Sequence, residues 1–238
     1  DTNRPQPVNT PYTVDRMKDV LSNFFVESYV NTTPTHYYSG VELKTATCDN
    51  TDVAEVGFVG RTLLNAFNAL EYGSQQNRPE LVNSANSIFD TYLTNGFSPA
   101  GFFNEVVHYN RDFKEANLSI RRQSEGVYAI LNYLDYEKQH KRKHPEWEKR
   151  LKVILDSFLR LQNADGSFPR KFKDDFSIVD GTGGSTPSAT LPLVMAYKYF
   201  KDKRYLESAK RTVNYLENEL ISKSDYFSST LDANCEDK

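Results

Sequence analysis

The sequence predicts an all-α fold, an α/α toroid of helical hairpins present as a partial ring of about three and a half hairpins. Three observations predict it. Seven stretches carry apolar residues at helical spacing. These stretches alternate between charged, one-sided patterns and patterns rich in Gly, Ala and apolar residues. The connections between them alternate between short and long.

The first pattern spans about 13–30 and places Val14, Met17, Leu21, Phe24 and Phe25 in register. The second spans 52–72, with Val53, Val56, Val59, Leu63, Phe67 and Leu70 in register and Gly73 as its stop. The third, 79–94, opens on Pro79, whose missing N–H has no helical partner at that position anyway. The fourth spans 123–139 and the fifth 145–162; Trp147, Leu151, Ile154, Leu155, Phe158 and Leu161 line one face of the fifth. The sixth spans 187–200 and the seventh 204–221, and an eighth starts near Ala233. No strand ladder competes with these helices, although 102–109 suits a short hairpin arm.

Helices one, three, five and seven have the charged, one-sided pattern of an outer layer. Helices two, four and six suit burial on both sides. The long connections, 31–51, 96–122, 165–186 and 222–232, all precede inner helices, so they are expected to share one end of the molecule. The turn Gln162-Asn163-Ala164-Asp165-Gly166-Ser167-Phe168 marks where an outer helix stops. Gly166 accepts positive φ, Asp165 accepts local backbone bonds, the Gln162 amide can bond loop carbonyls, and Phe168 can tuck back under the hairpin.

Composition excludes several classes. The net charge is −3, so nothing electrostatic points to nucleic acid or an anionic membrane. No apolar run approaches the roughly 20 residues that span a bilayer, so no membrane insertion is expected. The two cysteines, Cys48 and Cys235, and the four histidines form no metal-ligand pattern, and no metal or cofactor is expected. The Gly-rich loop 180–186 lacks the spacing of a phosphate-binding loop, which removes a nucleotide reading. Residues 1–12, with Pro5, Pro7 and Pro11, read as an extended lead-in to a toroid domain over 13–238. That lead-in has the look of a mature or trimmed N-terminus.

The segments LQNADGSFP, RRQSEGVYAILNYL and TPSATLPLVMAYKYFKDKRYLESAKRTVNYL resemble repeats of the six-hairpin glycosidase-like superfamily, the (α/α)6 toroids common among bacterial glycan-degrading proteins. The resemblance covers nearly the whole chain. It implies a substrate cleft at the N-terminal ends of the inner helices and a carbohydrate substrate. It also implies a periplasmic or extracellular setting. A ring of this type needs about six hairpins, so the domain is expected to be incomplete at its C-terminal end. A further C-terminal segment or a second chain would complete it.

The predicted mouth collects acids. Asp49 and Asp52 with Glu55, then Glu125, Asp180, and Asp232 with Glu236 and Asp237 all map onto inner-helix starts. Glycoside hydrolysis uses two carboxylates, one as acid and one as base or nucleophile. The candidate catalytic residues are therefore Glu125, Asp52, Asp49, Asp232 and Glu236. Capping also favours acids at helix starts, and Asp52-x-x-Glu55 has the spacing of a capping arrangement. The sharper candidate is 121–126. There Arg121, Arg122 and Gln123 can bind substrate, Glu125 can act as acid or base, and Gly126 allows close approach. Tyr38 and Phe176 are candidate stacking surfaces, and Asp180 is a further substrate contact. The expected activity is cleavage of glycosidic bonds in a poly- or oligosaccharide. The alternatives are a non-catalytic carbohydrate-binding toroid or scaffold, and a polysaccharide lyase or uronyl hydrolase using an arginine on the substrate carboxylate.

Overall fold

A computed structural model describes residues 12–33, 38–42, 52–57, 61–111 and 115–223. Seven α-helices run through the described residues: α1 (Val14–Ser28), α2 (Thr62–Gln75), α3 (Pro79–Asn95), α4 (Ile120–Gln139), α5 (Pro145–Leu161), α6 (Pro187–Phe200) and α7 (Lys203–Tyr215). Local chemistry sets their starts. Thr13, Ser119 and Asp202 cap α1, α4 and α7 by accepting the N–H of Arg16, Arg122 and Arg204. Prolines open α3, α5 and α6, where the first turn has no use for their missing N–H.

The helices form two layers. α2 packs on α4 and α4 on α6, giving an inner row. α3 pairs with α2, α5 with α4 and α7 with α6, while α1 touches α3 and α5 touches α7, giving an outer row. The expected alternation of inner and outer helices is thus observed, and the fold is an α/α toroid of hairpins. Between the rows lies an aromatic core. Phe89 of α3 stacks on Tyr133 of α4 with 3.9 Å between ring centroids. Trp147 of α5 meets Phe89 and Phe97 edge-on, at 6.4 and 5.8 Å.

Seven short strands join the described loops: β1 (Tyr29–Val30), β2 (Gly40–Val41), β3 (Val53–Glu55), β4 (Val106–His108), β5 (Asn117–Ser119), β6 (Lys171–Lys173) and β7 (Ile178–Asp180). β1 pairs with β2, β3 with β4, and β6 with both β5 and β7, all antiparallel. This pairing decides the layout. β3 belongs to the link before α2, β4 and β5 to the link before α4, and β6 and β7 to the link before α6. Strands from three separate links hydrogen-bond in sequence, so all three links share one end of the molecule.

The turn after α5 is built as its residues suggest. Gly166 has φ +95°, and a Cβ there would stand 2.2 Å from the backbone oxygen of Arg211. Asp165 accepts bonds from the N–H and hydroxyl of Ser167, and Phe168 is fully buried against Phe158. The Gln162 amide lies 3.0 Å from Gly166 O, and also 3.0 Å from Ser208 O and Thr212 Oγ1 on α7. It therefore ties the end of one outer helix to the next.

Four boundaries differ from expectation. Residues 53–55 form a strand rather than the first turn of a helix, and α2 starts at Thr62. The i, i+3 spacing of Val53, Val56 and Val59 fits a helix, but β-branched Val53 and Val56 followed directly by Gly57 suit a short strand. α4 starts at Ile120, three residues earlier than its pattern suggested, because Ser119 caps it. The 102–109 stretch does not fold on itself; its strand β4 pairs with β3. The last pattern divides into α7 and a π-helical segment, Leu216–Ile221. The expected eighth helix near Ala233 lies outside the described residues.

Candidate active site at the mouth

The start of α4 organises this end. At about 100° per residue, Arg121, Glu125 and Arg122 share one helix face, while Gln123 points the opposite way. The structure follows that geometry. Arg121 Nε lies 3.4 Å from Glu125 Oε1, and Arg61, in the residue before α2, places Nη2 3.5 Å from the same oxygen. The Glu125 side chain is 20% exposed, so it is reachable from solvent. Gln123 is fully buried. It accepts from the Phe103 N–H and donates to Phe103 O and to Glu105 Oε1, at 3.0, 2.9 and 2.9 Å.

Arg122 is surrounded by three carboxylates. Nη1 is 2.9 Å from Glu115 Oε2 and 3.7 Å from Glu105 Oε2, and Nη2 is 3.5 Å from Glu55 Oε1. Arg122 thus joins β3, the 102–105 segment and the approach to β5 to the start of α4. Its guanidinium already has three acidic neighbours from this chain. Glu105 is fully buried, and burial pushes its carboxyl up to about 8 against the hydrogen bonds from Ser119 and Gln123 and the pull of Arg122.

Two glycines let the segments meet. A Cβ on Gly57 would stand 2.7 Å from Glu125 Oε2 and 2.7 Å from Arg122 Cα. A Cβ on Gly126 would collide with Val56 and Phe103, so the close approach at Gly126 is made by this chain's own side chains.

The remaining expected site residues are placed apart from this cluster. Asp52 sits at the far end of β3 with φ +55°, its N–H bonded to Glu42 and its carboxylate to Asn110. It therefore begins a strand and caps no helix. Tyr38 is buried, with its hydroxyl donating to Asn95 O at 3.0 Å, so it presents no ring face to a ligand. Phe176 sits on the β6–β7 turn at φ +71°. Its ring lies between Phe102 and the Arg160 guanidinium, the latter 3.8 Å from the centroid. Asp180 accepts from the Thr182 N–H and hydroxyl and pairs with Arg170 at 3.2 Å. Burial pushes the Asp180 carboxyl up, but those bonds outweigh it and hold it below its ordinary value. Asp49, Asp232 and Glu236 lie outside the described residues.

Arg61, Glu105 and Glu115 complete the cluster and were not singled out from sequence. Glu105 had a signal: it is a lone carboxylate within Phe102-Phe103-Asn104-Glu105-Val106-Val107. A charge in so apolar a run needs a partner if it is buried. Among the described residues, no group of three or more His, Cys, Asp or Glu is placed to hold a metal, and no helix is long and apolar enough to cross a membrane. A groove of about 520 Å³ runs between α1 and α2, lined by Leu21, Phe24, Asn65, Asn68 and Tyr72 among others and by none of the clustered charges.

No family's sequence profile matches the chain, and no curated protein matches it. Solved structures do. A possible member of the GH105 family from Salmonella enterica serovar Paratyphi A aligns over 92% of this chain and 57% of its own, with a TM-score of 0.70 at 14% identity. At this identity the likeness is one of fold, a run of α/α-toroid hairpins. The unsaturated glucuronyl hydrolase of Bacillus sp. GL1 aligns over 87% of this chain and 57% of its own, at TM-score 0.63 and 14% identity. The cellobiose 2-epimerase of Spirochaeta thermophila aligns over 87% and 52%, at TM-score 0.62 and 15% identity. The chain spans little more than half the length of each of these three toroids.

Proposed function

We propose that this mouth is a carbohydrate-processing site, and that its reaction is cleavage of glycosidic bonds in a poly- or oligosaccharide. Glu125 is the residue we assign as general acid or base. The observation that carries the reading is its position. It is a solvent-reachable carboxylate on the first turns of an inner toroid helix, fixed in orientation by Arg61 and Arg121. Glycosidic cleavage needs a second carboxylate roughly 5 to 10 Å away. Glu55, anchored by Arg122 two residues before Gly57, is our choice for that role. Asp52, Asp49, Asp232 and Glu236 are the alternatives for that role. The relatives in fold act on sugars by their names, as hydrolases and epimerases, which supports the substrate class more than the reaction.

A second reading has its own support. Arg61 and Arg121 are 47% and 28% exposed and converge on one carboxylate, so they could instead grip a uronate carboxylate. A panel of neutral and uronate-containing glycans, assayed with the wild type and Glu125→Gln, separates the possibilities. Turnover lost in Glu125→Gln supports the assignment. Turnover confined to uronates supports the second reading. Glycan binding without turnover, unchanged by Glu125→Gln, supports a non-catalytic carbohydrate-binding toroid. No turnover and no binding on any glycan sinks the proposal.

A further inference from the structure

Glu105 occupies the inner side of the charge cluster. Its Oε1 accepts the Ser119 N–H at 2.6 Å and the Gln123 amide at 2.9 Å. Its Oε2 is buried, makes no hydrogen bond, and lies 3.7 Å from Arg122 Nη1. The same nitrogen is 2.9 Å from Oε2 of Glu115, whose side chain is 39% exposed. One N–H-bearing nitrogen therefore stands between a buried carboxyl on one side and a solvent-facing carboxylate on the other.

We propose that Glu105 is a positioning residue for the mouth, whose protonation state sets whether Arg122 leans outward onto Glu115 or inward beneath it. The inference rests on the reading of this mouth as the functional site. The geometry supplies the first argument. At 2.9 Å the Glu115 contact is a charge-assisted hydrogen bond, whereas 3.7 Å is too long for one. Glu105 holds the weak end of the competition, as a neutral carboxyl does. Its Oε1 takes two N–H donors, which leaves the unbonded Oε2 as the atom that gains or loses the proton. Burial is the second argument, because it favours the neutral form and pushes this carboxyl up to about 8.

The charged groups facing Glu105 are Arg122 from α4, Glu115 from the segment before β5, and Glu55 from β3 through the shared guanidinium. Its neutral partners are the Ser119 N–H and Gln123. When the Oε2 proton leaves to solvent, the new buried anion attracts Arg122 Nη1 more strongly than the half-solvated Glu115 can. Arg122 moves inward, Glu115 loses its bond, and the Glu55 contact at 3.5 Å shifts with the guanidinium. Glu105 reaches no substrate itself. It acts by setting where Arg122 holds Glu55 and Glu115.

Arginine side-chain ¹⁵N signals report this directly, with Arg122→Lys used to assign the Arg122 resonances. In the wild type they should titrate with a midpoint near 8, the value to which burial pushes Glu105. In Glu105→Gln, which keeps an acceptor for Ser119 and Gln123, they should stay flat over the same range. In Glu115→Gln the midpoint should fall, since the Glu115 charge raises it. An unchanged titration in Glu105→Gln, a flat wild-type signal, or an unmoved midpoint in Glu115→Gln overturns the proposal. None of these measurements uses a glycan, so an inactive glycan panel would remove the proposed function and leave this result standing.

Discussion

Gly57 passes so close to Glu125 that a Cβ on Gly57 would stand 2.7 Å from Glu125 Oε2, and as close to the Arg122 Cα. The first neighbour is the end of a side chain and can yield. The second is helix backbone and cannot move without shifting the start of α4. Gly57→Ala should therefore displace the exit of β3 from the α4 start, at a cost of about 1–3 kcal/mol. It should also weaken any glycan affinity that depends on Glu125. Denaturant melts with a matched ligand titration check this. Wild-type stability and binding in the variant would show that the loop accommodates a methyl group.

Glu105 gives a pH dependence of folding that needs no ligand. Its carboxyl is raised from an ordinary value of 4.5 to about 8 in the folded chain, so the folded state holds a proton that the unfolded state releases. Stability from this group is complete below about pH 4.5, falls as pH rises from there toward 8, and is level above. Glu105→Gln has no proton to lose. Its stability relative to the wild type should grow between those limits, by on the order of 3–5 kcal/mol in total. Chemical denaturation at several pH values measures the difference. A difference independent of pH would mean that Glu105 is ionised in the folded protein.

The parts legible in the sequence were those built from local periodicity and turn chemistry. The face Trp147, Leu151, Ile154, Leu155 and Phe158 predicted α5, and Pro145 marked its start. Asp165-Gly166 predicted the turn that follows. What was not legible depended on partners far along the chain. β3 is three residues long, and its register is set by β4, about fifty residues away, so alternation alone could not reveal it. Gln123 reads as a polar site residue until α4 is seen to start at Ile120, which turns its side chain toward Phe103 and Glu105. Arg121, Arg122 and Glu125 were legible because one helix turn brings them together. Glu105 and Glu115 join them only through the long link before α4, whose strands β4 and β5 pair with β3 and β6 of the neighbouring links.

At the opposite end of α4, Glu137 is buried and accepts from Arg142 at 2.5 Å, and lies 2.8 Å from His144 Nε2. Burial pushes its carboxyl up, but the bonds from Arg142 and His144 outweigh that and hold it below its ordinary value. A depressed carboxylate contributes stability above its unfolded value of 4.5 that is lost as pH falls through the folded one. Arg142→Met should cost about 1–2 kcal/mol at neutral pH, a figure reduced because the arginine is half exposed. The gap from the wild type should narrow toward acid pH. Denaturation at neutral and acid pH tests this, and equal stabilities at neutral pH would show that His144 alone satisfies Glu137.

Gly166 answers to two constraints at once. Its φ of +95° is strained for any residue with a side chain, and a Cβ would stand 2.2 Å from the Arg211 backbone oxygen on α7. Relieving the contact means moving α7 away from the turn, which pulls Ser208 and Thr212 from the Gln162 amide. Strain and lost hydrogen bonds should therefore add, giving Gly166→Ala a cost of roughly 3 kcal/mol or more. Gln162→Ala should cost about 1–2 kcal/mol, since it removes the bonds and leaves the backbone of the turn intact. In the double variant the penalties should fall short of their sum, because the displaced α7 has already broken the bonds that Gln162 supplies. Denaturant melts of the two single variants and the double variant measure that coupling. Strict additivity would show that the turn and the amide hold α7 independently.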